Sequence, residues 1–294
     1  MSSKDYLWEK RGEPDAETRE LEALLGQARF SGMELPEKKP RRRWPFVLVA
    51  AAVAALAVFL LVPREGFVRV DGNKLYAAQW FETGAGERAT LQLGDSIGHV
   101  DVKEGSRLRV LRVDKNEQRL ELARGSVHAV VLAPPRLFVI DTPAATAVDL
   151  GCEYELTVDA EETSKLRVLS GLVELEGRGE KAIVLAGMWS DTPKGGAPTV
   201  PIDRRATPAF IGAVEKVQTD PSVLPMLLSQ AEKSDAPTLW HLLSRTEGGT
   251  RRSVYVRLQE LVPARVEQEA VMTLDPAALD TWWQVVLSGR VHER

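Results

Sequence analysis

Few side chains in this sequence could do chemistry, and their spacing argues against most of it. Cys152 is the single cysteine, and His99, His128, His241 and His292 are the four histidines. No two of these stand at the short spacings that a tetrahedral zinc site uses, so the sequence predicts no metal and no cofactor. One cysteine also excludes an intramolecular disulfide. Cys152 lies between Leu150 and Tyr154 in a strand-like pattern. That setting predicts a buried, structural thiol, because a reactive one needs an accessible, electropositive environment. His128, within Ser126-Val-His-Ala-Val-Val131, has no carboxylate or nucleophile beside it in a motif. Glu153 and Glu155 share a strand face, which is the ordinary wet side of a half-buried strand. A glycosidase would need two carboxylates at a defined separation in a cleft. The Gly195-Gly196 pair sits in a proline-rich connector and is no phosphate loop. The chain is therefore expected to be no enzyme.

The elements that would position these residues fall on either side of one apolar run, Trp44 to Val62, WPFVLVAAAVAALAVFLLV. A bilayer core needs about 20 helical residues, and the run has no charge to oppose burial. Pro45 suits a first helical turn and Pro63 an exit. The sequence predicts a transmembrane helix over 44–62. Lys38, Lys39, Arg41, Arg42 and Arg43 precede it, so the positive-inside rule orients residues 1–43 to the cytoplasm and the rest outside. A cleaved signal peptide is disfavoured by the long leading segment and by Val62-Pro63-Arg64, which is no small-residue cleavage site. The expected localisation is the cytoplasmic membrane, with the later domains extracytoplasmic. The net charge of −4 carries no nucleic-acid signature.

Residues 1–37 hold five basic and nine acidic side chains. Two short helices fit. The first, Ser3 to Lys10, carries Tyr6, Leu7 and Trp8, with Gly12 as its stop. The second begins near Pro14-Asp15 and repeats Leu21, Leu24, Leu25 and Ala28 at helical spacing. Such short helices are unstable alone. The pattern fits equally a solvated tail or a segment that folds on a cytoplasmic partner, helix in groove. Residues 36–40 read as a stiff linker.

From Phe67 to Ser190 the period changes to two. Phe67–Val70, Ala89–Leu93, Arg107–Val113, Arg119–Leu122, Glu153–Val158, Leu166–Val168 and Leu172–Leu175 alternate apolar and polar residues. Turn signals separate them, among them Asp71-Gly72-Asn73 and Gly177-Arg178-Gly179. The region 67–190 is predicted to be all-β, a sandwich, roll or solenoid.

Here the residues resemble a known family, the FecR domain. Phe81-Glu-Thr-Gly84 and Arg88-Ala-Thr-Leu-Gln-Leu-Gly-Asp95 are similar to its opening, and Arg119-Leu-Glu-Leu-Ala-Arg-Gly-Ser-Val127 to its middle. Phe138-Val-Ile-Asp-Thr142, Val148-Asp-Leu-Gly-Cys-Glu-Tyr154 and Val168-Leu-Ser-Gly-Leu-Val173 are similar to its close. The sequence departs at Asp95–His99 and at Gly151-Cys152, where Gly-Thr is usual. The resemblance implies a membrane-anchored anti-sigma regulator. Its N-terminal segment would bind an extracytoplasmic-function sigma factor, through Tyr6, Leu7, Trp8, Leu21, Leu24 and Leu25. Its β domain would receive an envelope signal, in many family members from an outer-membrane receptor.

After a connector at 191–208, helical spacing returns over 209–294. Segments 209–217, 223–233, 238–244, 251–261 and 277–287 are predicted helices, a small HEAT-like bundle. Trp240, Trp282 and Trp283 are expected mainly in the core. One of the adjacent Trp282 and Trp283 is a candidate partner anchor. The expected fold class is thus a single-pass membrane protein with a FecR-like β domain and a helical C-terminal bundle. The alternative function is an envelope scaffold that binds cell-wall or protein partners without a sigma factor.

Overall fold

The computed structural model describes residues 13–27, 67–93, 97–217 and 219–291. The chain forms two compact units, Met1–Pro63 and Arg64–Arg294. In the first, α1 spans Ala16–Gln27. Asp15 starts it: its Oδ1 accepts the Thr18 backbone N–H at 2.9 Å, which satisfies one of the orphan donors of the first turn. Glu17 adds favourable charge at the same end.

The second unit opens with β1 (Phe67–Val70), β2 (Asn73–Tyr76), β3 (Trp80–Glu82), β4 (Ala89–Gln92), β5 (Gly98–Val102) and β6 (Arg107–Val113). Then come β7 (Gln118–Val131), β8 (Phe138–Asp141), β9 (Thr146–Asp149), β10 (Glu153–Val158) and β11 (Ser164–Ser170). The last strands are β12 (Leu172–Gly177), β13 (Glu180–Leu185), β14 (Met188–Thr192) and β15 (Ile202–Asp203). One sheet runs β2-β1-β4-β5-β7-β10-β11-β14-β15, antiparallel throughout. The other runs β3-β6-β7-β8-β9-β12-β13, with β7 and β8 parallel.

Strand β7 belongs to both sheets, and its burial pattern shows how. Gln118, Leu120 and Leu122 point inward, then Val127, Ala129 and Val131 do so. The buried positions shift from even to odd numbers, so the alternation slips by one residue between the two halves. The slip is at Gly125, with φ +89°, where a Cβ would stand 2.4 Å from the Ser106 Cα. Only glycine fits that corner. Ser106 holds it: its Oγ accepts the Ser126 N–H at 2.9 Å and donates to the Ser126 carbonyl at 3.1 Å. Thr83 Oγ1 in turn accepts the Ser106 N–H at 3.0 Å. A second corner at Gly171, φ +72°, carries the chain from β11 to β12; a Cβ there would lie 2.2 Å from the Gly151 carbonyl oxygen.

The helices are α2 (Pro208–Val217), α3 (Leu224–Gln230), α4 (Ala236–Arg245), α5 (Gly248–Leu261), α6 (Gln268–Met272) and α7 (Pro276–Val291). They share one hydrophobic core with the strands: Tyr154 and Leu156 belong to the same cluster as Phe210, Leu239 and Trp282. Residues 191–208 join that core through Val200 and Ile202. Polar contacts reinforce the junction. Thr238 Oγ1 donates to the Pro201 carbonyl at 2.7 Å. His241 Nε2 accepts the Ile183 N–H of β13 at 3.0 Å, while its Nδ1 lies 2.8 Å from the Pro237 carbonyl oxygen. Those partners fix the proton on Nδ1.

The expected fold class needs correction. Among the described residues, no helix is long and apolar enough to cross a membrane. The longest, α7, has 16 residues and falls short of the roughly 20 that a bilayer core requires. The described fold is a mostly β domain followed by C-terminal helices. The segment 44–62, on which the single-pass expectation rested, lies outside the described residues.

Candidate functional site

Helix α1 carries the most unusual surface. Leu21, Leu24 and Leu25 are 57, 63 and 65% exposed. Their spacing of three and four places them on one face. Glu17, Glu20 and Glu22 stand among them in the same helix. Burial of one leucine is worth about 1.5–3 kcal/mol, so this stripe holds binding free energy that the described fold does not use. An apolar stripe with an acidic border matches a helix that docks in a partner's groove and favours a basic rim. Of the other residues expected in this role, Tyr6, Leu7 and Trp8 lie outside the described residues. So do the flanking Lys38, Lys39, Arg41, Arg42 and Arg43.

The C-terminal tryptophans behave oppositely. Trp282 is fully buried, donates from Nε1 to the Val262 carbonyl at 2.9 Å, and meets the Tyr255 ring edge-on at 5.3 Å. Trp283 is buried against Trp240, ring centres 4.6 Å apart. Trp240 Nε1 donates to the Leu279 carbonyl. Both adjacent tryptophans therefore sit in the core, because α4 covers one and the turn after α5 receives the other. Neither is a surface anchor.

The groups with chemical potential fall in two places, around Cys152 and around His128. Cys152 is buried, and its thiol donates to the buried Asp149 carboxylate. Burial and that carboxylate push the thiol's pKa far up, the opposite of what a nucleophile needs. Asp149 also accepts the Gly151 N–H at 2.9 Å, and burial pushes its carboxyl pKa up. His128 has the carboxylate partner that no motif revealed: its Nε2 lies 2.9 Å from Glu153 Oε1. Asp101 approaches the other ring nitrogen at 3.9 Å. Cross-strand register makes this cluster, since Asp101 on β5 stands opposite His128 on β7 and Glu153 is diagonal to it on β10. Glu155 beside them bonds Lys103 at 2.8 Å, which holds its pKa below the usual carboxylate range. Among the described residues no hydroxyl or thiol bonds His128, and the cluster is a set of cross-strand polar contacts. Among the described residues, no group of three or more acidic, histidine or cysteine side chains is arranged to hold a metal ion.

Comparison with known proteins finds a family likeness in the β region. Residues 80–174 match the family model described as FecR protein. That span runs from β3 to the middle of β12 and includes both glycine corners. No curated protein matches the chain. Two crystal structures of a candidate anti-sigma factor from Parabacteroides distasonis share 18% identity with it, at a TM-score of 0.38. The match covers 45% of this chain and 64% of that protein, and it is too distant to carry an argument.

Proposed function

From the premise that residues 80–174 are a FecR domain, we propose that this chain is an anti-sigma regulator of the FecR type. The observation that carries the reading is that domain match. The exposed leucine stripe of α1 supports it independently, as a docking face left unfilled in the described fold.

In this reading α1 enters an apolar groove on an extracytoplasmic-function sigma factor, with Leu21, Leu24 and Leu25 as anchors and its glutamates facing a basic rim. Binding covers the sigma surface that polymerase or promoter DNA would otherwise use. The β domain works on the extracytoplasmic side and receives the envelope signal. A signal changes the hold on the sigma factor only if it binds the two states of the regulator unequally. Protease accessibility in intact and opened cells checks the placement of the domains.

The test is capture of the full-length tagged protein from its own cells. A sigma factor should co-purify, and deletion of residues 1–43 should abolish capture and raise transcription from that factor's promoters. Capture of no sigma factor, with transcription unaltered by the deletion, overturns the proposal in favour of a scaffold role.

A further inference from the structure

Between α3 and α5 runs an open groove of about 500 Å³. Leu228 and Val256 supply its apolar surface, with Val256 47% exposed. Arg252 and Arg257 stand along it, and Glu260 at one end. The charges are unbalanced. Arg257 is engaged within the chain, pairing with Glu260 at 2.8 Å and donating to the Ala231 carbonyl at 2.7 Å. Arg252 has no carboxylate partner among the described residues. Helix α3 carries no charged side chain, so the groove is cationic on a chain whose net charge is −4.

We propose that this groove binds an acidic peptide segment of a protein partner, one that presents a carboxylate and, two residues away, an aliphatic side chain. The spacing argues for a peptide. Arg252, Val256 and Glu260 follow one another at four-residue intervals, about 6 Å apart along a helix. Same-side residues of an extended peptide repeat at about 6.6 Å. A carboxylate bound to Arg252 therefore brings the second residue along to Val256 and Leu228. Arg252 gives the electrostatic complement, and the apolar pair provides the anchor. This surface is separate from α1 and does not depend on the sigma-factor reading.

The test titrates the full-length protein with two fluorescein-labelled peptides, one with a Glu-Ala-Leu core and one with Lys-Ala-Leu in the same serine and glycine flanks. The expected preference for the Glu peptide is about fivefold, since one exposed charge contact is worth up to about a factor of five. Arg252→Glu should reverse the preference, and the uncharged Val256→Ser should weaken both peptides by a similar factor. Both positions are accessible, so unchanged melting temperatures show that the variants fold. Arg252→Ala, which should abolish the preference without reversing it, is the second variant. Equal binding of the two peptides, or no binding of either, overturns the proposal. So does an unaltered preference in Arg252→Glu. A concentration-dependent dimer that Val256→Ser dissociates would assign the groove to a second copy instead, and free glutamate competing as well as the peptide would assign it to a small anion.

Discussion

Helix α1 and the pair α4 and α7 start from the same sequence signal and end in opposite places. Each has large apolar residues at helical spacing. In α1 the stripe of Leu21, Leu24 and Leu25 lies open, while in α4 and α7 the stripe of Leu239, Leu242, Trp282 and Trp283 is buried. Helical periodicity reports that a face must be covered; it does not say by what. Where the same chain supplies the cover, as the strands and helices of the second unit do, the stripe becomes core. The uncovered stripe is what we propose another molecule covers.

The sharpest way to break this contrast is Trp282→Ala. Loss of a fully buried tryptophan and its bond to Val262 should cost about 3–5 kcal/mol, read from denaturant unfolding. A cost near zero would mean that the tryptophan is not core. Gly125→Ala should come next, at about 3 kcal/mol, because it adds both a positive-φ penalty and a backbone clash at the β7 corner. Tolerance of alanine there would refute the two-sheet corner.

The junction of α4 with β13 gives a pH prediction. Burial pushes the His241 pKa down from about 6.5 to about 4. The folded state thus binds fewer protons, so this contribution is complete above pH 6.5 and declines as pH falls from 6.5 towards 4. The full loss is about 3 kcal/mol, from 1.36 kcal/mol per pKa unit. Melting temperatures of the protein and of His241→Gln should diverge in slope across that window, with the variant flatter; parallel slopes would sink the assignment. Leu24→Ala should have the smallest effect on stability, within about 0.5 kcal/mol, because the side chain is exposed. A larger loss would mean that the stripe is covered after all.

Much of the β domain was legible in the residues. Glu153–Val158 alternates cleanly because one face lies in the core, and Arg107–Val113 does so up to Val110, where a bulge shifts its register. Strand β7 read only in part, as Arg119–Leu122, because its alternation changes phase at Gly125. Strand β8 gave no alternation: Phe138, Val139 and Ile140 are all buried. Helix α6, five residues long, is too short to display a period. The His128–Glu153 pairing spans 25 residues and depends on strand register, which periodicity does not encode. The leucine stripe of α1 was plain in the sequence, but its exposure followed only from the fold. Burial of both Trp282 and Trp283 agrees with their main expectation as core and leaves neither exposed as the candidate anchor, since elements on two sides cover them.

The central claim is that the α1 stripe is a docking face for a sigma factor. The direct measurement is calorimetric titration of the captured sigma factor with the protein and with its Leu21→Glu, Leu24→Glu, Leu25→Glu triple variant. The variant should bind at least about a hundredfold more weakly, given about 1–2 kcal/mol per anchor, with the second unit's melting temperature unchanged. An unchanged dissociation constant would contradict the account.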